Sequence, residues 1–157
     1  MLYYLGIDPG LSGAFAVIST DLKTARVYSH PQTVGSLFSQ MLTVLEECPV
    51  AYACIERAQA APGQGGSSIF KYGTNYGEWL GLLTALTIPH ETVPPKKWQY
   101  RLYGSIKRKG DLKLLSISSA QQKFPSAKIG KNHNKADALN IAFYARETFN
   151  ASGSSAL

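Results

Sequence analysis

The sequence predicts an α/β domain: a mixed five-stranded sheet, three antiparallel strands followed by parallel ones, with helices on both faces. Three observations carry this. Short apolar runs rich in β-formers, separated by turn residues, fill the stretch from Leu2 to Ser29. Beyond it, apolar residues at helical spacing alternate with further short apolar runs. And 157 residues suffice for one sizeable core.

Leu2 to Asp8 is apolar and β-rich and reads as the first strand. Asp8-Pro9-Gly10 is turn chemistry, with Gly13 allowing a tight return into a second strand, Ala14 to Ser19. Asp21 to Thr24 turns the chain again, into a third strand from Ala25 to Ser29, so these three form an antiparallel meander. In Thr33 to Glu47, Leu37, Met41, Val44 and Leu45 recur at helical spacing and Pro49 stops the helix. Ala51 to Ile55 is a fourth strand ending at Glu56. Residues 58–68, rich in Gly, Gln and Ala, read as a flexible loop. Gly73 to Leu86 is the next helix, with Gly77, Gly81 and Ala85 forming a small-residue face suited to close packing on a neighbour. His90 to Val93 is a short strand before Pro94-Pro95. A basic, aromatic stretch follows from Lys96 to Lys109, then a helix from Asp111 to Lys123 that ends at Phe124-Pro125. Asn132 is placed to cap a last helix from His133 to Phe149. The expected organisation is one domain over 1–149 and a flexible tail over 150–157. The element order, β-β-β-α-β-α-β-α-α, fits a ribonuclease H-like fold.

No stretch approaches the roughly 20 apolar residues of a membrane span, and Met1 to Gly6 lacks the basic leader of a signal peptide. Two cysteines, Cys48 and Cys54, make neither a disulfide framework nor a four-ligand zinc site, and point to a reducing compartment. The net charge of +6 is unevenly spread. Residues 96–135 hold eleven Lys/Arg and one acid, whereas residues 1–95 hold four basic and seven acidic groups. Such a basic segment beside an acidic one suits either a polyanionic partner or a solvated cationic surface.

The informative acids are those in apolar or strand-terminal settings. Asp8 closes the first strand, Glu56 closes the fourth, and Asp137 lies between Ala136 and Ala138. A carboxylate at the end of a buried strand is costly unless it is paired or binds a cation. Three of them meeting from distant segments would suit magnesium or manganese, which prefer oxygen ligands. Two such ions about 4 Å apart activate water and stabilise the leaving oxygen of a phosphodiester. Singly, each has an ordinary explanation: an Asp-Pro-Gly turn at Asp8, a surface ion pair of Glu56 with Arg57, a bond from Asp137 to Lys135 or the backbone. Together, on a chain with a strongly basic segment, they form a candidate nuclease site. His133 and Asn134, four and three residues before Asp137, share its helix face. His133 is a candidate ligand or acid/base and equally a cap or surface histidine; Asn134 is the weaker ligand candidate. His30 and His90 read as structural.

Lys96, Lys97, Arg101, Lys107, Arg108, Lys109 and Lys113 are candidate phosphate contacts, together with Lys71. Tyr100 offers a stacking face, and Trp98 and Tyr103 read as either stacking faces or core, Trp98 rather as core. Phe70 and Tyr72, after the loop that follows Glu56, would wedge into opened DNA or pack in a core or dimer.

Several motifs resemble those of RuvC-type Holliday junction resolvases. Gly6-Ile7-Asp8-Pro9-Gly10 resembles their opening motif, Ile55-Glu56 before a Gly-rich loop their second, and Ala136-Asp137-Ala138-Leu139-Asn140-Ile141-Ala142 their final helix. Tyr76 to Leu83, Val93 to Trp98 and Phe124-Pro125 are most similar to the phage-like and chloroplast branch. The resemblance covers about residues 2–148. It implies a homodimer that binds four-way DNA junctions and nicks two opposed strands symmetrically, using two magnesium or manganese ions held by Asp8, Glu56 and Asp137. Asp8 is expected to bridge the ions. Bacterial members often carry a fourth acid three residues before the last; here that residue is Asn134, and His133 is the candidate substitute. The implied location is the cytoplasm or nucleoid for a bacterial or phage protein, an organellar nucleoid for a eukaryotic one. The competing readings are a ribonuclease H-like nuclease acting on RNA, of the YqgF-like group, and a junction-binding protein without catalysis. An actin- or sugar-kinase-like domain shares the opening motif but needs a duplicated fold longer than this chain.

Overall fold

The computed structural model describes residues 1–10, 12–59, 63–105 and 109–153. Strands β1 (Tyr3–Asp8), β2 (Ala14–Ser19) and β3 (Ala25–Ser29) form the antiparallel meander. After α1 (Val34–Glu47), β4 (Val50–Glu56) joins the other side of β1 in parallel. After α2 (Gly66–Ala85), β5 (His90–Val93) extends the sheet in parallel from β4. The strand order is β3-β2-β1-β4-β5, the mixed five-stranded sheet expected. The chain closes with α3 (Pro95–Tyr103), α4 (Lys109–Lys123) and α5 (His133–Gly153). Among the described residues, no helix is long and apolar enough to cross a membrane.

The two-residue period of the central strands divides the core into two layers. Leu5, Ile7, Phe15, Val17, Ala53 and Ile55 point to the face covered by α1, through Leu37, Met41 and Val44, and by α2, through Trp79, Leu82 and Leu83. Tyr4, Ala14, Ala16, Ile18 and Cys54 point to the other face, where Trp98, Phe124 and the apolar side of α5 cover them. Asp8 and Glu56 have the same parity as Tyr4 and Cys54, so strand geometry alone turns both acids toward α5.

Gly6 lets α5 come this close. A Cβ built at Gly6 would lie 2.1 Å from the backbone nitrogen of Ala142 and 2.2 Å from the carbonyl oxygen of Ala138. Backbone cannot yield as a side chain would, so any side chain here forces the helix off the strand. Gly6→Ala is expected to cost about 3 kcal/mol or more. Urea denaturation measures it; an unchanged midpoint would mean that the helix retreats freely.

Caps explain several boundaries. The Thr33 hydroxyl accepts from the Ser36 amide at 3.2 Å and starts α1. Asn132 Oδ1 accepts from the Lys135 amide at 3.0 Å and starts α5, as expected of a cap. Three boundaries differ from expectation. α2 starts at Gly66 rather than Gly73, so the end of the presumed loop is helical. Its first turn closes with the Ile69 amide on the Gly65 carbonyl at 3.1 Å, extending a helix already anchored by Trp79 and Leu83 at one hydrogen bond per residue. α3 is a helix that composition did not announce. Pro95 sits at its first position, where the missing N–H costs nothing, and Gly104 at φ 70° ends it. Finally, α5 continues past Phe149 to Gly153, and Asn150, expected in a tail, accepts a hydrogen bond from the Tyr4 hydroxyl at 3.0 Å. Residues 154–157 lie outside the described residues. Cys48 and Cys54 are buried free thiols.

Candidate active site

β1 and β4 run parallel, with Ile7 paired to Ile55, so Asp8 and Glu56 leave adjacent strands side by side at their carboxyl ends. Asp137 lies in the first turns of α5, the helix laid across those strands. The three acids are near enough to act on one another. The Asp8 carboxyl is pushed up to about 6 by burial, against the Gly10 amide, which donates to its Oδ1 at 3.0 Å. Glu56 is pushed up to about 8, first by burial and then by repulsion from Asp8, with a smaller push from Asp137. Asp137 is pushed up to about 7 by burial and by Asp8; the Ser116 hydroxyl and the Lys113 ammonium oppose this. Acids from three remote segments thus lie on neighbouring elements within electrostatic range of one another.

Each acid is held by an uncharged donor. The Trp98 indole N–H donates to Glu56 Oε2 at 2.7 Å, and the Ser116 hydroxyl donates to Asp137 Oδ1. Among the described residues the ion pairs are Arg26–Glu47 and Arg146–Glu147, so none of the three acids is neutralised by a salt bridge. Glu56 does not pair with Arg57, whose guanidinium reaches Thr92 instead. Also among the described residues, no three His, Cys, Asp or Glu side chains close on one point as ligands of a single ion. An oxygen-only set of one buried and two half-buried acids, without a salt bridge among the described residues, fits hard divalent cations, which remove both the repulsion and the desolvation cost.

His133 and Asn134 diverge. His133 lines a cavity of about 330 Å³ with Trp98, Tyr103, Lys113 and Asp137. Burial and the Lys113 ammonium hold its imidazole below the ordinary histidine value, in the neutral form that ligation requires. Asn134 instead commits its amide nitrogen to the Ser12 carbonyl at 2.7 Å, bracing α5 against the β1–β2 turn. His30 and His90 each engage a nearby carbonyl, of Pro31 and Ile88, as structural residues do.

Of the basic candidates, Lys113 lies beside Asp137. Lys96, Lys97 and Arg101 are exposed on α3 and Lys113 on α4; Lys109 opens α4, and Lys107 and Arg108 lie outside the described residues. Lys71 is exposed on α2 beside Phe70, which is 76% exposed, whereas Tyr72 is half-buried. The Tyr72 phenol is raised by burial and by the charges of Glu56 and Asp8, so this half-buried residue lies within electrostatic range of both acids. Trp98 is fully buried, as core, yet supplies the donor to Glu56. Sequence reasoning missed Trp98 and Ser116 as site residues. A tryptophan three residues after Pro-Pro carries a signal of burial but none of its partner.

A sheet of this order, with acids at the carboxyl ends of two adjacent parallel strands and on the helix crossing them, is a ribonuclease H-like fold. Among solved structures the fold is similar to that of RuvC. Thermus thermophilus RuvC in complex with Holliday junction substrate is similar at a TM-score of 0.69 and 21% identity, over 98% of this chain and 97% of that one. The yeast mitochondrial Holliday junction resolvase Ydc2 is similar at a TM-score of 0.53 and 14% identity, over 100% and 87%. In sequence, the chain is 35% identical over 104 residues to the chloroplastic Holliday junction resolvase MOC1 of Chlamydomonas reinhardtii, covering 64% of this chain. The chain spans 12% of the length of that curated relative. No protein-family model matches the chain.

Proposed function

We propose that this chain is a structure-selective endonuclease that resolves four-way DNA junctions by paired symmetric nicks. The observation that carries the proposal is the set of three carboxylates, Asp8 buried and Glu56 and Asp137 half-buried, with no salt bridge among the described residues, on a RuvC-like fold. Asp8, Glu56 and Asp137 would hold two magnesium or manganese ions, with His133 the additional candidate ligand beside Asp137. Bound there, the ions supply an activated water and charge stabilisation of the leaving oxygen. Asp8 raises both other acids, which makes it the natural shared ligand. Trp98 orients Glu56 and excludes water behind it. Lys96, Lys97, Arg101 and Lys113 would meet phosphates, and Phe70, exposed on α2, is the candidate wedge.

Symmetric nicking needs two sites, and the reading includes a homodimer. α2 leaves Gly77 and Gly81 with nothing within 4 Å of a built Cβ, an open strip of backbone that a second copy would cover. The protein would work where branched DNA forms, in a bacterial or organellar nucleoid.

The test is incubation with a synthetic four-way junction, with and without magnesium, alongside duplex, flap and RNA–DNA hybrid. The expected products are nicks at matching positions in two opposed strands, ending in 5′-phosphates, seen only with the metal. Preferential cutting of the hybrid would favour an RNA-directed nuclease. Tight junction binding with no metal-dependent cutting would leave a binding protein.

A further inference from the structure

Behind Asp137 runs a chain of hydrogen bonds, buried at Asn140 and part-buried at its ends, that the catalytic reading does not use. The Lys123 ammonium donates to Ser119 Oγ at 2.5 Å, and Ser119 Oγ donates to Asn140 Oδ1 at 3.0 Å. The Asn140 amide nitrogen donates to the Ser116 carbonyl at 2.9 Å and to Ser116 Oγ at 3.1 Å. Ser116 Oγ in turn donates to Asp137 Oδ1. Asn140 is 0% exposed and Ser116 2% exposed, so water does not compete.

The chain has one possible direction. A backbone carbonyl only accepts, so the Asn140 atom facing the Ser116 carbonyl must be its nitrogen. Its oxygen therefore faces Ser119. A lysine ammonium only donates, so Ser119 accepts from Lys123 and its own proton goes to Asn140, in agreement. Ser116 Oγ already accepts from the amide, which leaves its proton for Asp137. The Tyr103 phenol also neighbours Ser116 and Ser119 and closes the network on its remaining side. Among the described residues, the other oxygen of Asp137 takes part in no hydrogen bond. One carboxylate oxygen is thus committed to the protein interior and the other is presented to the site.

We propose that Ser116 and Asn140 are positioning residues for Asp137: the polarised Asn140–Ser116 pair fixes which carboxylate oxygen is offered to a divalent cation. The inference rests on the metal-dependent reading above and adds to it a residue pair on α4 and α5 that touches neither metal nor DNA. It also makes α4, which carries Lys113, the support of an acid. Partners of this kind commonly contribute 10–100-fold, as orders of magnitude, to metal affinity or activity.

The test is calorimetric titration of junction-free protein with manganese, followed by junction cutting. Alanine is a good helix former, so Ser116→Ala is expected to fold, keeping the Asn140 bond to the residue 116 carbonyl. It should bind manganese roughly 10-fold more weakly, lower kcat for cutting with junction affinity unchanged, and melt cooperatively. Ser116→Thr keeps the hydroxyl and should restore manganese affinity. Unchanged manganese affinity in Ser116→Ala overturns the proposal, and so does an equal loss in Ser116→Thr. Parental protein that binds manganese but leaves junctions whole sinks the resolvase reading while the positioning role stands; parental protein that binds no manganese sinks both.

Discussion

At pH 8 and without divalent metal, Glu56→Gln should melt well above the parental protein, by roughly 10 °C. The argument is one of linkage. Burial first, and Asp8 second, raise Glu56 from the ordinary 4.5 to about 8 in the folded chain. The folded state therefore binds this proton more tightly than the unfolded state does. The stability tied to it is complete below the unfolded value and is lost as pH rises through the folded value. Asp8 at about 6 and Asp137 at about 7 act with the same sign, so metal-free protein should weaken steadily between about pH 4 and 8. For Glu56 alone the penalty is roughly 3–5 kcal/mol. Glutamine removes the charge and still offers an oxygen to the Trp98 N–H, so the hydrogen bond survives. Thermal melts in EDTA at pH 5 and pH 8 measure the effect, and magnesium should raise the melting temperature of the parental protein at pH 8 by more than that of the variant. Equal melting temperatures for parent and variant at pH 8 would mean that Glu56 is not desolvated as the structure has it.

Asp8→Asn should lower metal-dependent junction cutting by about 10³-fold or more, the effect of losing several kcal/mol of transition-state stabilisation. Asp8 is the acid whose charge is felt by both of the others, so its loss removes the shared element of the cluster. Junction affinity should be kept or improved, because a negative charge near phosphates is gone. Single-turnover cutting and a gel-shift titration read the two effects separately. Full cutting activity in Asp8→Asn would refute the assignment of the site.

The split between what could be read from the chain and what could not follows the range of the forces involved. β1, β2 and β4 were legible because a buried strand announces itself in consecutive apolar residues. Asp8 and Glu56 were legible because a carboxylate closing such a run has no cheap local explanation. Asp137 was legible from its setting among small apolar residues and from the motif around it. The first turns of α2 were hidden, because Gly65, Gly66, Ser67 and Ser68 carry loop propensity and the helix is held from its far half, through Trp79. α3 was hidden because its lysines and aromatics invite a reading by partner rather than by period; Trp98 and Leu102, one turn apart, are its inward side. The Trp98–Glu56 and Ser116–Asp137 bonds span 42 and 21 residues. No local pattern encodes a pairing of that kind. The choice between His133 and Asn134 turned on the position of Ser12, which a helix-face argument does not contain.

The bare contact at Gly6 has a mechanical result. With main chain resting on main chain between β1 and α5, the spacing of the first and last acids is gauged by atoms common to every amino acid. Mutations elsewhere in either element change what surrounds the two carboxylates without altering that gauge. A drifting sequence can in this way replace most of its core and still deliver the same pair of carboxylates at the same separation.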